Sequence, residues 1–142
     1  MAKQFTGYLK SRVSTSNTWA FRRHLAFGRI PPEDVLLRME LQNWECFYCG
    51  DKISLYTCEM DHVHALAKGG EHYMYNIVLT CHLCNQIKGA RSLRRFCQVM
   101  HLDIDMVRQK WAELNARQHA LTNFDDEYAY RCNMDDDKGD EG

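Results

Sequence analysis

Two pairs of cysteines constrain this chain of 142 residues more than any other feature of its sequence. Cys46 and Cys49 form one C-x-x-C pair, Cys81 and Cys84 form a second, and 31 residues lie between Cys49 and Cys81. Each pair can present two thiolates from a tight turn, and four thiolates complete the tetrahedral shell of a closed structural zinc site. We therefore predict one Zn²⁺ ion held by these four cysteines.

The same spacing limits what lies between the pairs. A gap of 31 residues is longer than the roughly 15 to 20 of a simple zinc ribbon, so a folded segment must separate them. A redox role would need a single C-x-x-C pair in a thioredoxin-like βαβ unit, which the sequence lacks. The other three cysteines, Cys58, Cys97 and Cys132, have no such spacing and are expected to be ordinary thiols.

The beginning of the chain and its cysteine count indicate the compartment. Residues 1–10 are polar and basic without an apolar region, and the seven cysteines are an odd number. No apolar stretch approaches the roughly 20 residues that a membrane span requires. We therefore expect an intracellular, cytoplasmic protein with reduced thiols and no membrane partner.

Charge is strongly segregated along the sequence, although the formal net charge is only −1. Residues 1–30 carry +6, residues 31–61 carry −5, residues 62–101 carry +4 and residues 102–142 carry −6. Lysine and arginine that displace counterions supply most sequence-independent affinity for nucleic acid. The two basic blocks therefore predict a phosphate-binding face, with an ordinary solvated surface as the alternative.

Local signals predict an α+β fold in which helices flank a short strand region. A first helix is expected at 17–27, and a second begins at Pro31-Pro32 with apolar positions up to Trp44. Strand-like runs occupy Thr57–Leu66 and Ile77–Thr80. Two further helices follow, with Ser92 and Asp103 as N-caps and a stripe of Ile104, Val107, Trp111, Leu114 and Leu121 on the longer one.

These elements divide the chain into four parts. Residues 1–45 form a basic helical region, 46–91 a core between and around the cysteine pairs, and 92–121 the C-terminal helices. Residues 122–142 form an acidic tail with little to bury, which we expect to be flexible.

Three polar residues between and beside the cysteine pairs carry the chemistry. Asp61 and His62 are adjacent on a predicted strand, and Asn85 lies at the start of a nearby helix. Carboxylate and amide oxygens suit Mg²⁺ or Mn²⁺ and leave coordination positions for water and phosphate. An imidazole near its ordinary pKa of about 6.5 can take a proton from an attacking water at neutral pH.

This segment resembles the HNH endonuclease family, the zinc-containing branch of the ββα-metal nucleases. The shared features are the two cysteine pairs, Asp61-His62, Gly69-Gly70, Asn76, Asn85 and Lys88-Gly89. The spacings also agree, with 14 residues from His62 to Asn76 and nine from Asn76 to Asn85. The resemblance covers about 44 residues, under a third of the chain, and implies a small ββα-metal core stapled by the four-cysteine zinc site.

The resemblance implies a role for each position. His62 would be the general base, Asp61 and Asn85 would bind a catalytic Mg²⁺ or Mn²⁺, and Asn76 would fix the loop and the histidine. Water attack would leave a 5′ phosphate. The side chains expected to contact DNA phosphates are Lys88, Arg91, Arg94, Arg95, Arg22 and Arg23.

Three positions depart from the commonest family pattern. Asn85 stands where many members have histidine, and Ala65 stands where many have proline. His64 is an extra histidine, and it makes Asp61-His62-Val63-His64 similar to the endonuclease VII type of junction resolvase. We expect a supporting role for His64. Surface or core positions are expected for the other histidines, His24, His72, His82, His101 and His119.

A metal-dependent DNA endonuclease is the function that these features predict together. The alternatives are an endonuclease VII-like enzyme for branched DNA, a zinc-stapled nucleic-acid-binding module without catalysis, and an interaction domain whose acidic tail engages a basic partner. One catalytic centre per chain favours nicking by a monomer, whereas cleavage of both strands would need a dimer or two binding events. The resemblance also allows a phage or mobile element as the source, and the target stays open.

Overall fold

The structure, a computed structural model, describes residues 30–122. Its elements in chain order are helix α1 (Pro32–Leu41), strand β1 (Glu59–His62), strand β2 (Ile77–Thr80), and helices α2 (His82–Lys88), α3 (Leu93–Met100) and α4 (Ile104–Thr122). The predicted α+β class is confirmed. The helix expected at 17–27 and the tail from residue 123 onward lie outside the described residues.

Helix α1 begins where the sequence predicts but ends earlier. Pro32 occupies its first turn, where a missing N–H costs nothing, and Glu33 and Asp34 lie beside the positive end of the helix dipole. Asn43 and Trp44 have φ values of 58° and 57°, so the chain turns sharply and Trp44 is not part of the helix. The predicted helical spacing through Trp44 is wrong for this reason.

The two strands pair antiparallel, with Asp61 opposite Val78 and His62 opposite Ile77. β1 is shorter than the predicted run Thr57–Leu66, because the chain leaves the strand after His62 and enters a loop with two 3₁₀ turns. β2 is buried along its whole length. Its backbone polar groups therefore need partners inside the protein.

Two buried side chains of the α1 region supply those partners. The Gln42 amide donates to the Leu79 carbonyl at 2.8 Å and accepts from the Leu79 N–H at 2.9 Å. Arg38 donates to the Ile77 carbonyl at 2.6 Å and to Gln118 of α4 at 2.7 Å. A fully buried guanidinium is tolerated when its donors find acceptors, so Arg38 fixes α1 and α4 against β2.

The C-terminal helices begin at the predicted caps. Ser92 Oγ accepts from the Arg95 N–H at 3.0 Å, and Asp103 Oδ1 accepts from the Asp105 N–H at 2.9 Å. Trp111 is fully buried, whereas Leu121, also predicted on the apolar stripe, is 65% exposed. Within residues 30–122, no helix combines the length and apolar character needed to cross a membrane.

Candidate metal centre and active site

The first cysteine pair sits on a short hairpin. Glu45 and Lys52 form an antiparallel bridge at its base, and the Cys46 N–H donates to the Asp51 carbonyl at 2.7 Å. Gly50 has a φ of 82°, a left-handed backbone conformation that residues other than glycine rarely adopt. The glycine directly after Cys49 therefore allows the turn that brings both thiols of the pair to one side.

The second pair begins helix α2. Cys81 is the N-cap, and its Sγ accepts from the Cys84 N–H at 3.4 Å. The hairpin reaches the same place because the Phe47 N–H donates to the Leu79 carbonyl, two residues before Cys81. The sheet thus brings together two cysteine pairs that are 31 residues apart in sequence.

The four sulfur atoms form a cluster that could hold a metal ion. They all lie within 4.8 Å of one another, and Cys49 Sγ is 3.8 Å from Cys81 Sγ. A tetrahedron with metal–sulfur bonds of about 2.3 Å has sulfur–sulfur distances of about 3.8 Å, so the spacing suits Zn²⁺. Burial raises the pKa of Cys49 to about 11 and that of Cys84 well above its ordinary value. Deprotonation of these two thiols therefore costs free energy, and the positive charge of a bound dication would offset that cost.

The predicted catalytic residues meet at a second place. Asp61 and His62 at the end of β1, together with Asn85 on α2, line a cavity of about 270 Å³. Leu66 and Gly89 form part of its wall. The strand and the helix that pack together therefore unite residues separated by more than twenty positions in sequence.

Asp61 is buried and held by two neighbours. The Tyr48 hydroxyl donates to Asp61 Oδ2 at 2.6 Å, and Lys88 Nζ lies 3.7 Å from Oδ1. Burial raises the pKa of Asp61, while the Lys88 ammonium and the Tyr48 hydroxyl act in the opposite direction. Burial and the adjacent carboxylate raise the pKa of Tyr48 well above its ordinary value. Tyr48 therefore stays protonated and donates, which orients the carboxylate.

His62 is neutral in this environment. Its Nε2 lies 2.9 Å from Nδ1 of His72. Burial, His72 and the Lys88 ammonium lower the pKa of His62 to about 3, and burial lowers the pKa of His72 to about 4. Both rings therefore carry no charge at neutral pH. The pKa of His62 departs from the ordinary value of about 6.5 expected from the sequence, although the neutral ring is still the form that can accept a proton.

The orientation of Asn85 follows from Glu59. The Asn85 Nδ2 donates to Glu59 Oε2 at 3.4 Å, and His82 Nδ1 lies 3.0 Å from the same carboxylate. Because the amide nitrogen of Asn85 is directed to Glu59, the amide oxygen can serve as a ligand for a hard cation. The Asp61 carboxylate and the Asn85 amide thus line the same cavity, and they are the groups that the sequence predicts as ligands of a divalent metal.

Asn76 fixes the loop between the strands. Its Oδ1 accepts from the His64 N–H at 2.9 Å, and its Nδ2 donates to the carbonyls of His64 at 3.0 Å and Glu71 at 2.8 Å. Because Asn76 is fully buried, these bonds are shielded from water. This geometry agrees with the loop-fixing role expected for Asn76.

Lys88 was predicted to contact DNA phosphate, and the structure indicates a different role. Its side chain is completely buried, and Nζ donates to the carbonyls of His62 at 3.1 Å and Val63 at 2.9 Å. An ammonium enclosed in this way is not available to a phosphate, so the expected DNA contact by Lys88 is wrong in this structure. Lys88 instead braces the end of β1 beside Asp61.

The remaining predicted residues divide by position. The side chains of Arg91, Arg94 and Arg95 are exposed, directly after the cavity wall formed by Gly89 and Ala90. Arg22 and Arg23 lie outside the described residues. The His64 ring packs edge-on against Trp111, with centroids 5.3 Å apart, and does not line the cavity.

The sequence alone did not indicate the residues that contact the predicted catalytic side chains. Tyr48, Glu59 and His72 each contact one of the predicted catalytic side chains. Tyr48 lies between the two cysteines of the first pair. This position beside two candidate metal ligands is the sequence feature that could have indicated a role for Tyr48. The contacts of Glu59 and His72 arise from strand pairing and loop packing, which produce no local pattern in the amino-acid sequence.

Comparison with known proteins confirms the resemblance of this segment. Residues 46–91 match the model of the HNH endonuclease family. The CRISPR-associated endonuclease Cas9 of Corynebacterium diphtheriae is 42% identical over 52 residues, which cover 36% of this chain. The Cas9 of Actinomyces naeslundii is 39% identical over 51 residues, or 35% of this chain. In both cases the match spans only 5% of the relative's own length.

A solved structure is also similar. The crystal structure of the Type II-C Cas9 enzyme from Actinomyces naeslundii aligns with 87% of this chain and 15% of its own, at 24% identity and a TM-score of 0.49.

Proposed function

We propose that the HNH domain at residues 46–91 makes this chain an intracellular metal-dependent DNA endonuclease that hydrolyses phosphodiester bonds. The observation that carries the proposal is the convergence of His62, Asp61 and Asn85 on one cavity of about 270 Å³. At one opening, a neutral imidazole can act as the general base, and a carboxylate and an amide oxygen can hold a divalent cation. A binding module without catalysis has no need of all three.

His62 would act as the general base in this reaction. The ring takes a proton from water, the water oxygen attacks phosphorus, and the bond between phosphorus and the 3′ oxygen breaks. The 3′ oxygen takes up a proton from solvent, so the products are a 5′ phosphate and a 3′ hydroxyl.

Asp61 and Asn85 would hold the catalytic Mg²⁺ or Mn²⁺. When bound, this cation supplies positive charge at the scissile phosphate and at the leaving 3′ oxygen. Tyr48 and Lys88 support the role of Asp61, because their contacts orient the carboxylate and oppose the rise in its pKa before any cation binds. Burial of Asp61 would otherwise favour its neutral form.

Zn²⁺ at the four cysteines would be structural. The first cysteine pair carries Tyr48, and the second begins the helix that carries Asn85. The ion would therefore fix the two segments that position both ligands of the catalytic cation. A two-strand, one-helix unit of this size buries too little apolar surface to do so alone.

A plasmid assay tests the proposed function. Supercoiled plasmid is incubated with the zinc-loaded chain and Mg²⁺, Mn²⁺ or neither, and the ends are mapped. We expect nicked circles with 5′ phosphate and 3′ hydroxyl ends only when a divalent cation is added. Purified, zinc-loaded protein that leaves plasmid intact with both cations would overturn the proposal. The yield of linear product and the distribution of ends report on double-strand cleavage and target preference.

The site favours this reaction over a junction resolvase of the endonuclease VII type. The similarity to that type depends on His64, whose ring packs on Trp111 away from the cavity. A four-way junction cleaved far faster than plasmid would reverse this preference.

The exposed arginines of α3 are expected to contribute to DNA affinity. We expect Arg94→Ala/Arg95→Ala to weaken binding and to reduce the slope of log affinity against log salt by about 2, roughly 0.9 per lost phosphate contact. Titration of a labelled duplex at several salt concentrations measures this slope. Arg117→Ala/Lys52→Ala removes the same charge from exposed positions elsewhere, and an equal change in that variant would show a general charge effect instead.

A further inference from the structure

His72 is a buried titratable residue to which neither the sequence nor the proposed function gives a role. Its side chain is completely enclosed, yet its Nδ1 lies 2.9 Å from Nε2 of His62. The two ring centroids are 5.1 Å apart and the planes are inclined by 42°. This is a direct hydrogen bond between two imidazoles at the edge of the catalytic cavity.

The loop delivers His72 to this position with little freedom. Asn76 bonds to the backbone of both His64 and Glu71, so the residue directly before His72 is tied to the residue two after His62. At Gly70 the two arms of the loop touch, because a Cβ there would lie 1.9 Å from the His64 carbonyl oxygen. The contact between the histidines is therefore held by the backbone on both sides.

A hydrogen bond between two imidazole nitrogens contains one proton. The ring that carries this proton determines which nitrogen of His62 can accept another proton. If the proton is on His62 Nε2, His72 Nδ1 accepts it, and Nδ1 of a neutral His62 keeps its lone pair. If the proton is on His72 Nδ1, the lone pair of His62 Nε2 is occupied by the bond. A neutral His62 would then carry its proton on Nδ1 and could not accept one from water.

We propose that His72 is a positioning residue that holds His62 as the Nε2–H tautomer, which makes Nδ1 of His62 the nitrogen that accepts the proton of water. The inference rests on the proposed function. Among the described residues no hydrogen bond to Nδ1 of His62 is found, whereas Nε2 has its partner in His72. A hydrogen bond that fixes the tautomer of a functional imidazole is a general device of histidine chemistry.

The tautomer of His62 is measured first, by long-range ¹H–¹⁵N NMR of the zinc-loaded chain without DNA or Mg²⁺. His62→Ala identifies the signals. We expect the Nε2–H form in the wild type, the same form in His72→Asn, whose side-chain oxygen can replace Nδ1 as acceptor, and a mixture in His72→Leu. An Nδ1–H form in the wild type would overturn the inference without any variant having to fold.

Plasmid nicking supplies the second readout. We expect His72→Leu to lower kcat roughly tenfold or more with KM changed less than about twofold, and His72→Asn to recover most of the loss. His101→Asn is the matched control, because His101 is exposed and its φ of 57° suits asparagine. Zinc content and circular dichroism establish that each variant is folded.

The outcomes separate the inference from the proposed function. If the wild type nicks plasmid and a folded His72→Leu has the same kcat, the inference is overturned. The proposed nuclease activity would then still be supported. A wild type that never nicks would overturn the nuclease, and the NMR measurement would still decide whether His72 sets the tautomer of His62.

Discussion

Replacement of His62 by alanine is expected to reduce plasmid nicking by about 10²- to 10⁴-fold, the usual contribution of a general base. The reason is that His62 is the one imidazole among the described residues that lines the cavity with Asp61 and Asn85. Nicking rates at saturating DNA and cation measure the effect. Zinc content should stay close to wild type and thermal unfolding should stay cooperative, because His62 is not part of the four-cysteine cluster.

Rescue by free imidazole sharpens this test. Truncation of His62 enlarges the cavity of about 270 Å³, so added imidazole can enter and serve as the base. Partial recovery of nicking in His62→Ala, with none in an Asp61→Ala variant, would identify the missing function as proton transfer. Wild-type activity in a folded His62→Ala would remove His62 from the mechanism.

Loss of the structural metal is expected to unfold residues 46–91. Structural Zn²⁺ contributes roughly 10–16 kcal/mol of apparent free energy in zinc-finger peptides, whereas a whole domain is stable by only about 5–15 kcal/mol. We therefore expect Cys84→Ser to contain well under one Zn²⁺ per chain, to lose cooperative thermal unfolding and to lose nicking activity. Elemental analysis and calorimetry measure these changes.

A cysteine outside the cluster provides the control. Cys58 is buried at 2% exposure but lies outside the group of four sulfur atoms. Cys58→Ser should therefore keep about one Zn²⁺ per chain and a cooperative transition, at a cost of order 1 kcal/mol. Full stability of Cys84→Ser without zinc would contradict a structural metal at this site.

The four-cysteine cluster and the cavity proposed for catalysis share structural elements. Tyr48 lies between Cys46 and Cys49 and donates to Asp61, and α2 carries both Cys84 and Asn85. Removal of zinc would thus act on catalysis through the positions of Asp61 and Asn85, even before the fold is lost.

The elements that the sequence predicts well are those with local causes. Ser92 and Asp103 cap their helices because an oxygen side chain before an apolar stripe satisfies free backbone N–H groups. The turn after Cys49 follows from Gly50, which tolerates a left-handed backbone. In each case the information lies within a few residues, so the pattern is legible without the fold.

The positions that local spacing does not decide involve residues whose surroundings are distant in sequence. Lys88 lies three residues after Asn85, which suggests a shared exposed face, yet its ammonium binds carbonyls at the end of β1. Leu121 continues an apolar stripe but is 65% exposed, whereas Trp111 on the same stripe is buried. Neither outcome is encoded in local spacing, because both depend on where other elements end.

The sequence by itself determined the clustering of the four cysteines and the α+β class, because residue type and short spacing specify turns, caps and strands. It also predicted that Asp61, His62 and Asn85 act together. Only the tertiary structure decided that Tyr48 orients Asp61, that His72 bonds to His62 and that Lys88 is buried. Those contacts form where strand pairing and loop closure bring distant residues together, and burial then changes what each side chain can do. A buried ammonium needs carbonyl partners, and a buried imidazole stays neutral.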